Sequence, residues 1–142
     1  MEYRELTLEE KNEIKRLIEE AKLKIKYSEG DSNSIVLNKI KEFILKSKEN
    51  KTSKELIETY AYELGSLFGY LIQKEYDWNW YCLNKENETF YCITSKNKRA
   101  CCAVHNYFYS ILNTDKNNNS ILLYNMIENT EYPKDWNFTF LN

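Results

Sequence analysis

The run KELIETYAYELGSLFGYLIQKEY, residues 54–76, decides how this chain folds. Its apolar positions Ile57, Leu64, Phe68 and Ile72 fall on one helical stripe. The chain holds only three glycines, and two of them, Gly65 and Gly69, lie inside this run. Each costs a helix about 1 kcal/mol relative to alanine, so a compensating contact is expected. With Ala61 they make a ridge of small residues beside the stripe, against which another backbone can come close. Residues 54–76 therefore read as the central packing helix.

Two more helices precede it. Thr7 and Glu10 have the spacing of a capping box and open a helix over about residues 8–28, with Ile14, Leu17, Ile18, Ala21 and Ile25 on one face. Gly30-Asp31-Ser32-Asn33 breaks it. A second helix near 34–48 carries Val36, Leu37, Ile40, Phe43 and Ile44, and Ser53 caps the glycine-bearing third.

Beyond residue 77 the period changes. Trp78–Leu83, Thr89–Thr94 and Ala100–Val104 are short aromatic and β-branched runs, which predict a three-stranded antiparallel meander. The intervening turns, Asn84–Glu88 and Ser95–Arg99, lack glycine and predict loops of about four or five residues rather than tight ones. Alternation then places Trp78, Trp80, Phe90 and Cys92 against the glycine helix, with Tyr81, Leu83, Tyr91 and Ile93 opposite. That second face is too apolar for water, so either the following helices cover it, which is the expectation, or a partner does. Tyr107, Phe108, Ile111 and Leu112 predict one short helix; Ser120 caps another over Ile121–Glu128. Trp136 to Phe140, after Pro133, reads as a final strand or an extended tail.

The expected architecture is α+β and one domain over residues 1–142, with a helical pair in 1–52 and the central helix, sheet and C-terminal helices in 53–142. Its 142 residues, 42% hydrophobic and 30% charged, suit a globular core. Net charge is -2. Residues 1–60 carry 13 basic and 13 acidic side chains, and residues 61–142 carry 7 and 9, so neither half has the basic excess of a nonspecific nucleic-acid binder. No apolar run approaches the ~20 residues that span a bilayer, and the polar N-terminus lacks the apolar core of a signal peptide. Four cysteines without an export signal suggest reduced thiols in a cytoplasmic protein.

Candidate chemistry is sparse. Cys82, Cys92 and Cys102 recur every ten residues on successive strands, and with His105 they form a conceivable zinc set. Paired knuckles are absent, however, and small buried thiols filling a sheet core account for the spacing. His105 is the one histidine, too close in sequence to Cys101 and Cys102 for a nucleophile pair. No glycine-rich loop exists to cradle phosphate. No catalytic residue, metal or cofactor is therefore expected. The aromatic hairpin beside a basic turn is the most suggestive surface, with Trp80, Tyr81, Tyr91, Lys96, Lys98 and Arg99 as candidate partner-binding residues. Such residues anchor protein interfaces or stack single-stranded bases.

The pattern Leu64-Gly65-x-x-Phe68-Gly69 on a helix, followed by Trp78 and Trp80 and then a hairpin, resembles a family of small bacterial domains of unknown function. Domains similar in size and style occur among immunity proteins of toxin systems, including contact-dependent inhibition. The resemblance spans about residues 56–128. It implies a fold and a cognate protein toxin as partner, without any catalytic residue. The alternative expectation is a nucleic-acid-binding module that uses the hairpin.

Overall fold

A computed structural model describes residues 2–114, 116–128 and 131–142. In chain order the elements are β1 (Glu2–Glu5), α1 (Leu8–Lys24), α2 (Asn33–Glu49), α3 (Lys54–Tyr76), β2 (Asn79–Lys85), β3 (Glu88–Thr94), β4 (Ala100–Cys102), α4 (Val104–Asn113), α5 (Ser120–Glu128) and β5 (Thr139–Phe140). The class is α+β, as the periodicities require.

Local chemistry fixes the first three helices. At α1, Thr7 Oγ1 accepts from the Glu10 backbone while the Glu10 carboxylate accepts from Thr7 N–H, completing the capping box. Ser32 and Ser53 cap α2 and α3 through their hydroxyls. The first helix stops at Lys24, short of the expected residue 28, where Lys26 turns to a φ of 57°. Lys24 also reaches across to α3, its Nζ 2.7 Å from the buried Glu63 carboxylate. Ser120, expected as a cap, instead occupies the first turn of α5, and the Asn118 side chain accepts from its N–H.

The meander β2–β3–β4 is present but sits inside a five-stranded mixed sheet of order β1-β2-β3-β4-β5. β1 adds to β2 antiparallel, and β5 adds to β4 parallel. The β2–β3 connection is tighter than expected. Lys85 pairs with Glu88, leaving only Glu86 and Asn87, both at positive φ. A five-residue loop over 84–88 would have paired Trp80 with Cys92; this turn pairs Trp80 with Ile93 and Cys82 with Tyr91. A register slip of one residue exchanges the faces of a strand. Tyr91 and Ile93 therefore join Trp80 and Cys82 towards the helices, and Phe90 and Cys92 go to the other side, correcting the expected assignment.

Helices cover only one face of the sheet. α3 packs on α1 and α4, and α5 packs on α2, so neither C-terminal helix covers the second face as expected. That face closes on itself instead. Tyr3 on one edge strand lies 4.7 Å from Phe138, which precedes the other edge strand, measured between ring centres. Four strand intervals in a flat sheet would separate them by about 19 Å. The sheet is therefore curled, and its concave side encloses Leu83, Cys92, Cys101 and Phe138. Among the described residues no helix is long and apolar enough to cross a membrane.

Candidate functional site

Helix α1 lies across α3 and leaves a hollow on each side, with Ile14 on the floor of both. The two glycines of α3 each seat a ring beside one hollow. A Cβ at Gly69 would lie 2.4 Å from Trp80 Cη2, and one at Gly65 would lie 2.9 Å from both His105 Cδ2 and the Val104 carbonyl. The glycine ridge thus admits one indole and one helix N-terminus.

The first hollow is a groove of about 490 Å³ floored by Leu6, Ile14, Ile18, Tyr70 and Trp80. Lys11, Lys15 and Lys22 stand along its α1 wall, with Glu5 and Glu19 also lining it. Lys22 is engaged, its Nζ 3.5 Å from Glu19 and 5.4 Å from the Tyr70 ring centre. Lys11 and Lys15 are exposed and make no ion pair among the described residues. Of the acids that line the groove, Glu19 is the one paired with Lys22, and Glu5 on β1 makes no ion pair among the described residues. Glu10 and Glu13 lie on the other side of α1, paired with Arg4 at 2.7 Å and Arg16 at 2.6 Å. The free charge facing this groove from α1 is therefore positive at Lys11 and Lys15.

The second hollow is a cleft of about 310 Å³ between α1, α3, β3 and α4. Leu17, Tyr62, Tyr91 and His105 line it. His105 is 6% exposed, and its Nε2 lies 2.9 Å from Ser66 Oγ. Rings surround it, with Tyr62 at 4.8 Å and Trp80 stacked at 6.3 Å. Burial pulls its pKa down to about 4, so the imidazole is neutral at pH 7. At the rim, Glu10 accepts two bonds from Arg4 and one, at 2.6 Å, from the Tyr91 hydroxyl. Arg4, first, and then Tyr91 and Thr7 hold the Glu10 carboxyl well below the usual range; the same bond pushes Tyr91 up to about 12. This cluster ties β1, α1 and β3 together.

The sequence-predicted hairpin residues do not form one surface. Trp80 and Tyr91 face the helices, whereas Tyr81 lies on the concave side, 6.1 Å from Phe138. Lys96 is exposed, 3.5 Å from Asp77. Lys98 sits over the Tyr3 and Tyr81 rings, and Arg99 donates to the Tyr132 carbonyl. The cysteine set also separates: Cys82 and Cys102 face the helices, while Cys92 lies beside Cys101 of the adjacent strand on the concave side. No cluster of three metal-ligating side chains occurs among the described residues. Sequence reasoning missed Lys11, Lys15 and Tyr62. The lysines carried a signal in their four-residue spacing, but it is that of an ordinary solvated helix face. Compared with known proteins, the chain matches no protein-family model, no curated protein and no solved structure.

Proposed function

We propose that this chain is a non-catalytic bacterial binding protein, most concretely a cytoplasmic immunity protein that neutralises a cognate toxin by direct contact. The observation that carries the reading is the groove beside α1, where an apolar floor of Trp80, Tyr70, Ile14 and Ile18 lies beneath the unpaired Lys11 and Lys15. Rigid rings within a charged rim are the composition of interface anchors. A partner fits this groove by inserting an apolar side chain and placing carboxylates against the two lysines. Binding there covers the toxin surface without any bond being made or broken.

Co-expression tests it. Cells that carry the toxin gene adjacent to this one survive when the chain is present and die when it bears Lys11→Glu and Lys15→Glu. Death in the presence of the unaltered chain removes the immunity reading for that pair.

A second reading, a nucleic-acid-binding module, draws support from the concave face. At its rim Lys85 lies 5.2 Å from the Phe140 ring centre and Lys98 lies 5.5 Å from that of the half-exposed Tyr3, so basic side chains and rings meet where the sheet closes. It requires salt-sensitive binding of labelled single strands. Oligonucleotides that stay free at low salt exclude it.

A further inference from the structure

The cleft on the His105 side of α1 ends in a polar atom that the fold leaves without a partner. His105 Nε2 is occupied by Ser66 Oγ, and the Cδ2 edge rests against Gly65. Nδ1 makes no hydrogen bond among the described residues, yet it is not one of the partnerless polar atoms sealed from solvent. It opens into the cleft whose wall His105 forms.

The network also fixes which hydrogen that nitrogen carries. Ser66 is fully enclosed on α3, and among the described residues its hydroxyl has His105 as its side-chain partner and no bond to a backbone carbonyl. If Nε2 held the proton, the buried serine hydrogen would have no acceptor, a cost of about 1–3 kcal/mol. Ser66 therefore donates to Nε2, and the proton of the neutral ring resides on Nδ1. The cleft has an N–H donor at its base and the aromatic walls of Tyr62 and Tyr91 above it.

Charge narrows the ligand further. Glu10, Glu13 and Arg16 line the rim, and both carboxylates are paired with arginines, so an ion that gives up its water to enter finds no uncompensated counter-charge. A cationic ligand would moreover bring its donors against the His105 donor. A neutral acceptor remains. The volume, about 310 Å³, is at the small end of ligand sites and suits a single ring.

We propose that this cleft binds a small neutral molecule made of one six-membered ring bearing a carbonyl, with the ring against Tyr62 and Tyr91 and the carbonyl oxygen accepting from His105 Nδ1–H. This site lies across α1 from the groove assigned to a protein partner and does not depend on that assignment.

Acetophenone and ethylbenzene, which share a ring and differ in the carbonyl, test it on the full ¹⁵N-labelled chain by NMR. Acetophenone is expected to shift the His105 Nδ1–H, Tyr62 and Tyr91 signals saturably, and ethylbenzene to bind about fivefold more weakly or worse. Tyr62→Ala, a change at a half-exposed wall, is expected to weaken acetophenone by a similar factor. The proposal is overturned by an imidazole protonated on Nε2, by no saturable shift up to the solubility limit, by equal binding of both probes, or by unchanged affinity in Tyr62→Ala.

Discussion

The two hollows beside α1 share a helix, a floor residue and a construction principle, yet they differ in what they offer. The groove is floored by Trp80 seated on Gly69, and two of its rim lysines, Lys11 and Lys15, make no ion pair among the described residues. The cleft is walled by His105 seated on Gly65, and its rim charges are already consumed within the fold. Two glycines one helical turn apart thus place two rings in two chemically distinct sites. Their cost in helix propensity is offset by packing that any side chain would prevent.

The sharpest way to break this comparison is to fill each glycine in turn. Valine at either position forces atoms closer than contact and is expected to cost about 3 kcal/mol or more, read as a lower midpoint in urea. Alanine separates the two sites. At Gly69 the obstructing atoms are the outer edge of an indole that can swing towards the groove, although they lie only 2.4 Å away. At Gly65 the obstruction at 2.9 Å is the backbone of Val104, fixed at the start of α4. Gly65→Ala is therefore the more destabilising alanine, despite the longer contact. A larger loss at Gly69 would mean that the indole, not α4, is the rigid partner.

Acidification tests the cleft alone. The ordinary histidine value is 6.5, and His105 in the folded chain is held at about 4 by burial. Between those values the unfolded chain takes up a proton that the folded chain refuses, so stability falls as pH drops through this window. The full difference amounts to about 3 kcal/mol, of which roughly 2 kcal/mol is lost between pH 6.5 and 5. Glu10, Glu13 and Asp31 have lowered values, so their stabilisation is present above the ordinary carboxylate range and is lost only below it. Urea midpoints from pH 6.5 to 5 should fall for the parent and stay level for His105→Asn. A level parent would mean that burial does not hold the His105 pKa below its ordinary value.

Much of this was legible in residues 1–76, where caps and stripes are local. Thr7, Glu10 and Ser53 mark helix starts by their own side-chain bonds, and the glycines announce close packing whatever fills the space. The sheet was harder to read. Glu2–Glu5 has no apolar alternation, so nothing in it signals a strand that pairs with β2. The facing of Phe90 and Tyr91 depended on one turn, and Glu86-Asn87 adopts positive φ at both positions without the glycine that usually marks it. The hollows were not legible at all. They exist because α1 crosses α3; Lys11 has no acid one turn away on α1, and Glu19, one turn from Lys15, is held by Lys22.

The smallest expected effects distinguish the side of α1 that holds the fold together from the side left free. Tyr91→Phe removes one hydrogen bond to Glu10, whose carboxylate keeps Arg4 and Thr7 N–H, so the loss should be about 1 kcal/mol. Lys11→Glu and Lys15→Glu break no ion pair, and Lys11 lies near the α1 N-terminus, where negative charge is favoured. Each should change stability by less than about 0.5 kcal/mol. Paired urea titrations of the three variants check the order. If the lysine reversals cost more than the tyrosine, the groove lysines are holding α1 in place, and their availability to a partner is lost with that result.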